Sequence, residues 1–297
     1  MPGALFAEEI QPVLPQFAYQ QGQIYCMDCV DFLNMLPAGS VDTIFADPPY
    51  NIKKATWDDL GSTEEYCDWS ERWIRAAARA LKKNGTLYIC GFSEILADLK
   101  RPAMKYFVKC RWLIWHYENK ANLGHDWGRS HESILCLRKS HDFTFNIDNV
   151  RIPYNAHTLK YPKRGMAGQN SQFESIGAGK VWMPNPRGAK PKDVIDIPTT
   201  CNGMAEKTSH PTQKPEELLR YLLLASTKAG DLIADPFSGS GTTAVAAAQL
   251  GRRFLVGDQN ADYNRLADER LRSLEKRSPE EWQKYDRENM QRRRQLK

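Results

Sequence analysis

The sequence predicts an α/β protein built on a doubly wound, mostly parallel β-sheet with an antiparallel hairpin at one edge. Three observations predict it. Short apolar runs, each bounded by turn residues, read as buried strands. Amphipathic helical patterns alternate with several of them, the arrangement that covers both faces of a parallel sheet. Two runs with little room for a helix between them, FVKCRWLIWHYE (107–118) and ESILCLRK (132–139), supply the hairpin.

In chain order, GQIYCMD (22–28) and VDTIFADPP (41–49) are the first two strands. A long helix is expected over TEEYCDWSERWIRAAARALKKNG, with Thr63 as N-cap and Gly85 closing it after a basic last turn. GTLYICG (85–91) follows as a strand and leads to the hairpin. Trp112, Trp115 and Tyr117 on the hairpin's first strand are expected in the core rather than as a base-stacking platform. From about 145 to 206 periodicity fails, and Pro, Gly, Asn and Lys gather with Tyr154, Tyr161, Phe173 and Trp182. A structureless stretch of that length is uncommon in a compact domain unless it is functional, so it reads as an inserted recognition segment. PEELLRYLLLASTKAG then opens with Pro215 in its first turn and closes at Gly230. The strands DLIADPF (231–237) and RFLVGDQN (253–260) flank the helix GTTAVAAAQLG, and ADYNRLADERLRSLEKR is the last helix of the body. The expected organisation is an N-terminal extension (1–21), an α/β domain in two pieces (22–144 and 207–275), the insert (145–206) and a basic C-terminal tail (276–297).

With 297 residues, 41% hydrophobic and 26% charged, the composition excludes a disordered or collagen-like chain. No run of about 18 apolar residues suggests a membrane span. The N-terminus carries acids where a secretory signal has Lys or Arg, and the seven scattered cysteines suit a reducing cytoplasm. A cytoplasmic protein is expected. The formal charge of +5 is unevenly placed. Residues 151–192 hold eight basic residues against the single acid Glu174, and 276–297 hold eight against four, so the remainder is net acidic. A basic segment on an acidic body suggests a polyanion partner, with a solvated loop as the alternative. Arg292, Arg293 and Arg294 read as a frayed, solvated end.

Two segments at strand ends carry chemistry, because ligands of open α/β sheets bind outside the carboxyl ends of the strands. Asp235-Pro236-Phe237-Ser238-Gly239-Ser240-Gly241-Thr242-Thr243 follows one strand and opens an Ala-rich helix. Its glycines permit a tight turn and close backbone approach, and the helix N-terminus offers N–H donors. Asp258 ends the next strand, where a carboxylate accepts from ribose hydroxyls. Together they describe a nucleoside cofactor site. No Lys follows the glycines, which disfavours a P-loop, and the third glycine of the dinucleotide fingerprint is missing. The second segment is Asp47-Pro48-Pro49-Tyr50-Asn51. An ionised Asp47 is acceptor-only, and the Pro48 carbonyl supplies a second acceptor, so the pair suits an exocyclic amine. Tyr50 offers a flat face to a base. The plainer reading is a turn at a strand end.

DPPY (47–50) and DPFSGSGTT (235–243), with HPTQKP (210–215) just upstream of the latter, resemble the β class of DNA amino-methyltransferases that use S-adenosylmethionine. The resemblance covers roughly 22–144 and 207–275 and is weakest over the insert. It implies a class I, Rossmann-like methyltransferase fold with circularly permuted motif order, and it makes the insert the target-recognition segment. It also implies site residues. Asp235, Pro236, Phe237, Ser238, Gly239, Ser240, Gly241 and Thr242 cradle the cofactor; Asp258 holds its ribose; Asp28 lies near its adenine; Cys29 and Gln259 are further cofactor-binding positions; His210, Thr212 and Lys214 stand beside it, with Lys214 a candidate partner for the methionine carboxylate. Asp258 replaces the Glu common at its position. Asp47, Pro48, Pro49 and Tyr50 form the catalytic loop, and Lys160, Lys163, Arg164, Arg187 and Lys190 are the candidate DNA contacts.

The expected reaction is methyl transfer from S-adenosylmethionine to N6 of a flipped-out adenine in double-stranded DNA, with single strands also admitted. N4 of cytosine is the alternative. It is disfavoured because the family's N4 members more often carry Ser at the place of Asp47. RNA or protein-amide methylation and an inactive DNA-binding module are further alternatives. Methylation at C5 of cytosine is rejected, since it needs a nucleophilic Cys, usually after a Pro, and no cysteine here follows a Pro. Cys26-x-x-Cys29 lacks a second pair, and no metal is expected. A homodimer, a cognate restriction endonuclease and association with the nucleoid are carried over only as family expectations.

Overall fold

The structure is a computed structural model that describes residues 13–52, 58–118, 125, 127–162, 164–165 and 181–295. In chain order its elements are β1 (Phe17–Ala18), β2 (Gly22–Tyr25), α1 (Cys29–Met35), β3 (Val41–Ala46), α2 (Thr63–Ala80), β4 (Leu81–Gly91) and α3 (Ser93–Ala103). The hairpin strands β5 (Lys109–His116) and β6 (His131–Arg138) follow, then α4 (Ala156–Lys160), β7 (Arg164–Gly165), β8 (Val181–Trp182) and β9 (Val194–Asp196). The chain ends with α5 (Glu216–Ser226), β10 (Leu232–Asp235), α6 (Thr242–Gln249), β11 (Arg253–Gly257), α7 (Ala261–Arg272) and α8 (Pro279–Gln295).

The main sheet has the order β1-β2-β11-β10-β3-β4-β6-β5-β9. From β2 to β4 neighbouring strands are parallel, as the alternating pattern predicts. β6 is antiparallel to both β4 and β5, while β9 pairs parallel with β5 outside the hairpin. This reversal places the N-terminal end of β6 at the edge where the parallel strands finish: Ser133 lies opposite Gly91, the last residue of β4.

Alternation along the strands divides the core into two layers. Leu87, Ile89, Leu135 and Leu137 pack with Phe32, Trp73 and Leu96 of α1, α2 and α3. Tyr88, Cys136 and Phe254 face Leu218, Leu222 and Ala246 of α5 and α6. Trp115 and Tyr117 are buried on this second side as expected, whereas Trp112 points to the other and donates to Ser133 Oγ at 2.9 Å.

Several boundaries differ from the sequence pattern for local reasons. α2 is capped by Ser62, not Thr63, because Ser62 Oγ and the Glu65 carboxylate form a capping box. It ends at Ala80, and the basic stretch to Gly85 belongs to the start of β4, which begins at Leu81. Pro215 is the N-cap of α5 rather than a first-turn residue, and the helix stops at Ser226, where Thr227 Oγ1 donates to Leu223 O at 2.5 Å.

Both ends of the unpatterned stretch are built into the α/β body. Asn146 donates from its backbone to Ala225 O and from Nδ2 to Leu224 O and Thr227 O, and Val150, Ile195 and Ile197 are buried. The arginine-rich end, read as frayed, is helical. Arg220 grips Asp286 through two hydrogen bonds of 2.7 and 2.6 Å, Arg293 pairs with Glu217, and Trp282 is buried against the Arg220 guanidinium. Anchors to α5 at this sequence distance are invisible to local patterning.

Candidate active site

The loops that leave β3, β10 and β11 meet the end of β4, the start of β6 and the segment before α5 around a cleft of 840 Å³. That volume is ample for a cofactor-sized ligand.

One wall is the Asp47–Tyr50 loop. Asp47 Oδ2 stands 2.7 Å from Lys214 Nζ, and Asp47 Oδ1 stands 2.8 Å from the Tyr50 hydroxyl. Glu132 Oε2, from β6, is 3.0 Å from the same hydroxyl and 3.4 Å from Lys214 Nζ. The cluster is enclosed, so desolvation decides much of its electrostatics. Burial pushes the Asp47 carboxyl above the usual range, against the pull of Lys214. Burial also opposes charge on Lys214, but the carboxylates of Asp47 and Glu132 outweigh it and hold the ammonium well above its ordinary value. One cation between two carboxylates stays protonated.

The loop is framed from behind. Tyr66 donates to Pro49 O at 2.8 Å. Asn51, in the left-handed region at φ 54°, donates from N to Asp58 Oδ1 at 2.8 Å and accepts from Leu60 N at 2.7 Å. The Tyr50 ring stands edge-on to Phe92, with centroids 4.8 Å apart, and the Arg129 guanidinium lies 3.8 Å from the Phe92 centroid.

The opposite wall is the glycine-rich turn. Asp235 accepts from Phe237 N at 2.9 Å and from Thr243 Oγ1 at 2.5 Å, so this carboxylate shapes the turn from beneath. Its burial pushes the carboxyl up to about 7. Gly239 has φ 48° and donates to Asp258 Oδ2 at 2.9 Å; a Cβ there would stand 2.9 Å from His210 Nε2. Gly241 does not line the cleft. It caps α6 at φ 78°, and a Cβ there would stand 2.4 Å from Ala267 Cβ, so helix packing requires it. Arg270 ties Ser240 O at 2.8 Å, Thr242 Oγ1 donates to Lys214 O at 3.1 Å, and Phe237 packs edge-on to Trp73. Ser238 Oγ is buried and has no partner among the described residues.

The structure brings the other expected cofactor residues to the same cleft: Asp28, Cys29, Pro236, Asp258, Gln259, His210 and Thr212 all line it. Asp28 is exposed and accepts from Val30 N at 2.7 Å as the N-cap of α1. Cys29 is buried, which pushes its thiol up to about 12. Cys26 is exposed and contacts the Gln259 carbonyl. Asp258 also accepts from Asn260 N at 2.8 Å, so both of its oxygens brace loops. Lys214, expected beside a methionine carboxylate, has Asp47 and Glu132 as its partners in the structure.

The candidate DNA contacts are not brought together in this way. Lys160 is exposed at the end of α4, Arg187 pairs with Asp148 at 2.8 Å, and Lys190 lines a second cavity. Lys163 and the Arg164 side chain lie outside the described residues.

Sequence reasoning missed Glu132 and Phe92. Glu132 is the second residue of β6, just ahead of its apolar run, a signal of sorts, but only the antiparallel direction of β6 delivers it to this edge. Phe92 immediately follows β4 and carried no motif.

Comparison with known proteins agrees with this geometry. The model of a DNA methylase family, the N6/N4 methyltransferases, matches residues 41–269. The type II methyltransferase M1.MboII of Moraxella bovis is 35% identical over 85% of this chain and 97% of its own length. The DNA adenine methyltransferase YhdJ of Escherichia coli is 33% identical over 82% of this chain and 80% of its own. Among solved structures, a DNA modification methylase from Thermus thermophilus, complexed with S-adenosyl-L-methionine, superposes with a TM-score of 0.55 at 25% identity, covering 86% of this chain and 95% of that one.

Proposed function

The chain belongs to the DNA methylase family of N6/N4 methyltransferases, and from that premise we propose that it moves the methyl group of S-adenosylmethionine to the N6 amine of adenine in DNA. The observation that carries this reading is the meeting of the Asp47–Tyr50 acceptor loop and the Asp235–Thr242 turn across one cleft. The adenine specificity named for one relative supports N6.

The residues of the turn fit the cofactor. Ser238 Oγ awaits a partner, and Gly239 allows the close approach of a ligand to the backbone. Asp258 and Gln259 on one side and Asp28 on the other would hold its nucleoside part, with His210 and Thr212 beside them. Bound there, the cofactor supplies an electrophilic methyl group.

The remaining chemistry falls to the chain itself. Asp47, paired with Lys214, accepts one hydrogen of the target amine, and the Pro48 carbonyl accepts the other. Two acceptors draw the nitrogen toward a pyramidal geometry and free its lone pair for in-line attack. Both oxygens of Asp47 are engaged by Lys214 and Tyr50, so one of these partners yields as the amine arrives. Burial raises the proton affinity of Asp47 and makes it a suitable sink for the proton the amine releases. Tyr50 and Phe92 form an aromatic wall for the extruded base.

Double-stranded DNA is the proposed substrate, with Lys160, Lys163, Arg164, Arg187 and Lys190 of the insert on its phosphates; a second copy of the chain and a cognate restriction endonuclease are further proposed partners. No helix of the described residues is long and apolar enough to cross a membrane. The test is direct: incubate the protein with plasmid DNA and methyl-labelled cofactor, digest to nucleosides and identify the labelled base. N6-methyladenine is expected. Label on N4-methylcytosine would transfer the same mechanism to the other amine, and label on neither would sink the reading.

A further inference from the structure

A second cavity, of 470 Å³, lies on the α5 side of the sheet, away from the catalytic edge. Arg138 ends β6 and Glu132 is its second residue, six positions earlier along the strand and about 20 Å away. The cavity is therefore distinct from the cleft that holds Asp47.

Its charge is one-sided. Lys109, Arg111, Arg138, Lys190 and Lys192 line it, against the single acid Asp193. None of these cations forms an ion pair with a described residue. Arg138 is the telling one. It is 6% exposed, yet among the described residues its guanidinium has the neutral Thr86 and Tyr88 hydroxyls, the Cys136 thiol and the Phe143 ring, 4.6 Å away, and no carboxylate for company. The sheet register sets Lys109 directly opposite Arg138, and Lys109 Nζ lies 5.1 Å from the same Phe143 ring. Like charges opposite one another in a ladder are destabilising, and a buried cation without a counter-ion more so. One shared aromatic face offsets little of that. The floor, by contrast, is apolar: Leu113, Val150, Ile195 and Leu222, with the rings of Tyr88 and Tyr221.

A fork of guanidinium groups over an apolar, aromatic floor suits a phosphate carried on a flat ring. We propose that this cavity binds a nucleotide-sized phosphate monoester or diester, its phosphate on Arg138, Lys109 and Arg111 and its ring against Tyr88 and Tyr221. The ligand supplies the counter-charge that the fold omits. Its source is either a free nucleotide or a nucleotide of the DNA strand itself.

Uridine 5′-monophosphate tests this, because it carries the phosphate and a flat ring but no adenosine. It is titrated calorimetrically into the full chain saturated with S-adenosylhomocysteine, so that the cofactor side of the first cleft is occupied, and into the same chain carrying Tyr50→Ala, which removes the base side of that cleft and should leave this binding unchanged. Saturable binding is expected, weakened about tenfold or more by the exposed pair Lys109→Ala/Arg111→Ala and by Arg138→Lys, which keeps the charge but loses the fork. Displacement of the nucleotide by a duplex oligonucleotide would make DNA the source, and retention in its presence would make it a free nucleotide; both uphold the site. No saturable binding to the wild type, or equal affinity in the wild type and both variants, overturns it.

Discussion

Lys214 Nζ stands 2.7 Å from Asp47 Oδ2, and the same ammonium is 3.4 Å from Glu132 Oε2. The acceptor proposed for the target amine is thus ion-paired with one buried cation, which a second carboxylate shares. Lys214 and Glu132 act on Asp47 with opposite sign: the first lowers its proton affinity and the second raises it.

That opposition is measurable in the pH profile of kcat. Asp47 can accept on both oxygens and take up the proton of the amine only when ionised, so its pKa sets the acid limb. Lys214→Met removes the lowering influence and should move the acid limb to higher pH. Glu132→Gln removes a raising influence and should move it to lower pH. Asp47→Ala should abolish transfer while cofactor binding persists. Shifts of the same sign in the two partner variants would break the proposed division of labour.

The insert is tested by salt. Replacing Lys160, Lys163 and Arg164 together by Ala should weaken DNA binding and flatten the dependence of log K on log salt by about one unit for each phosphate left unneutralised. An unchanged slope would remove these residues from the DNA face.

Gly241→Ala should destabilise the protein by about 2–4 kcal/mol, since the new methyl collides with Ala267 and the residue keeps a left-handed φ. Denaturant unfolding checks this. The effect on cofactor affinity should be secondary, because Gly241 packs α6 on α7 and does not line the cleft.

The C-terminal helix should depend on its buried ion pair. Asp286→Ala leaves the Arg220 guanidinium, 3% exposed, without its bidentate partner, at an expected loss of about 3 kcal/mol. Protease should then remove α8 readily, and the double variant Arg220→Met/Asp286→Ala should recover part of the stability.

Asp235 gives a stability test that runs with pH. Burial raises its folded pKa to about 7, so between its unfolded value of about 4 and 7 the folded state binds the extra proton. The protonated form favours folding, and that contribution is lost as pH rises through about 7. Asp235→Asn, which keeps an acceptor for Phe237 N, should raise Tm at pH 8 and much less at pH 5. An equal gain at both pH values would show that ionisation of Asp235 is not the cause.

Residue patterns alone encode seven of the nine strands of the main sheet, their parallel arrangement and the contiguous parts of the site, but not the short edge strands β1 and β9. Asp47 to Tyr50 and Asp235 to Thr242 are neighbours along the chain, so their grouping is a matter of local geometry that residue types alone encode. Tertiary structure decided the rest. Glu132 reaches Asp47 because β6 runs against β4, and Phe92 joins it because β4 ends at the same edge. Lys214 faces Asp47 rather than solvent because Thr242 holds its carbonyl. The arginine-rich end is an ordered helix because Asp286 finds Arg220 across 66 residues of chain. Charges of this kind read as solvated in a sequence. Only the fold removes them from water, and a charge out of water must have a partner, which periodicity and spacing cannot name.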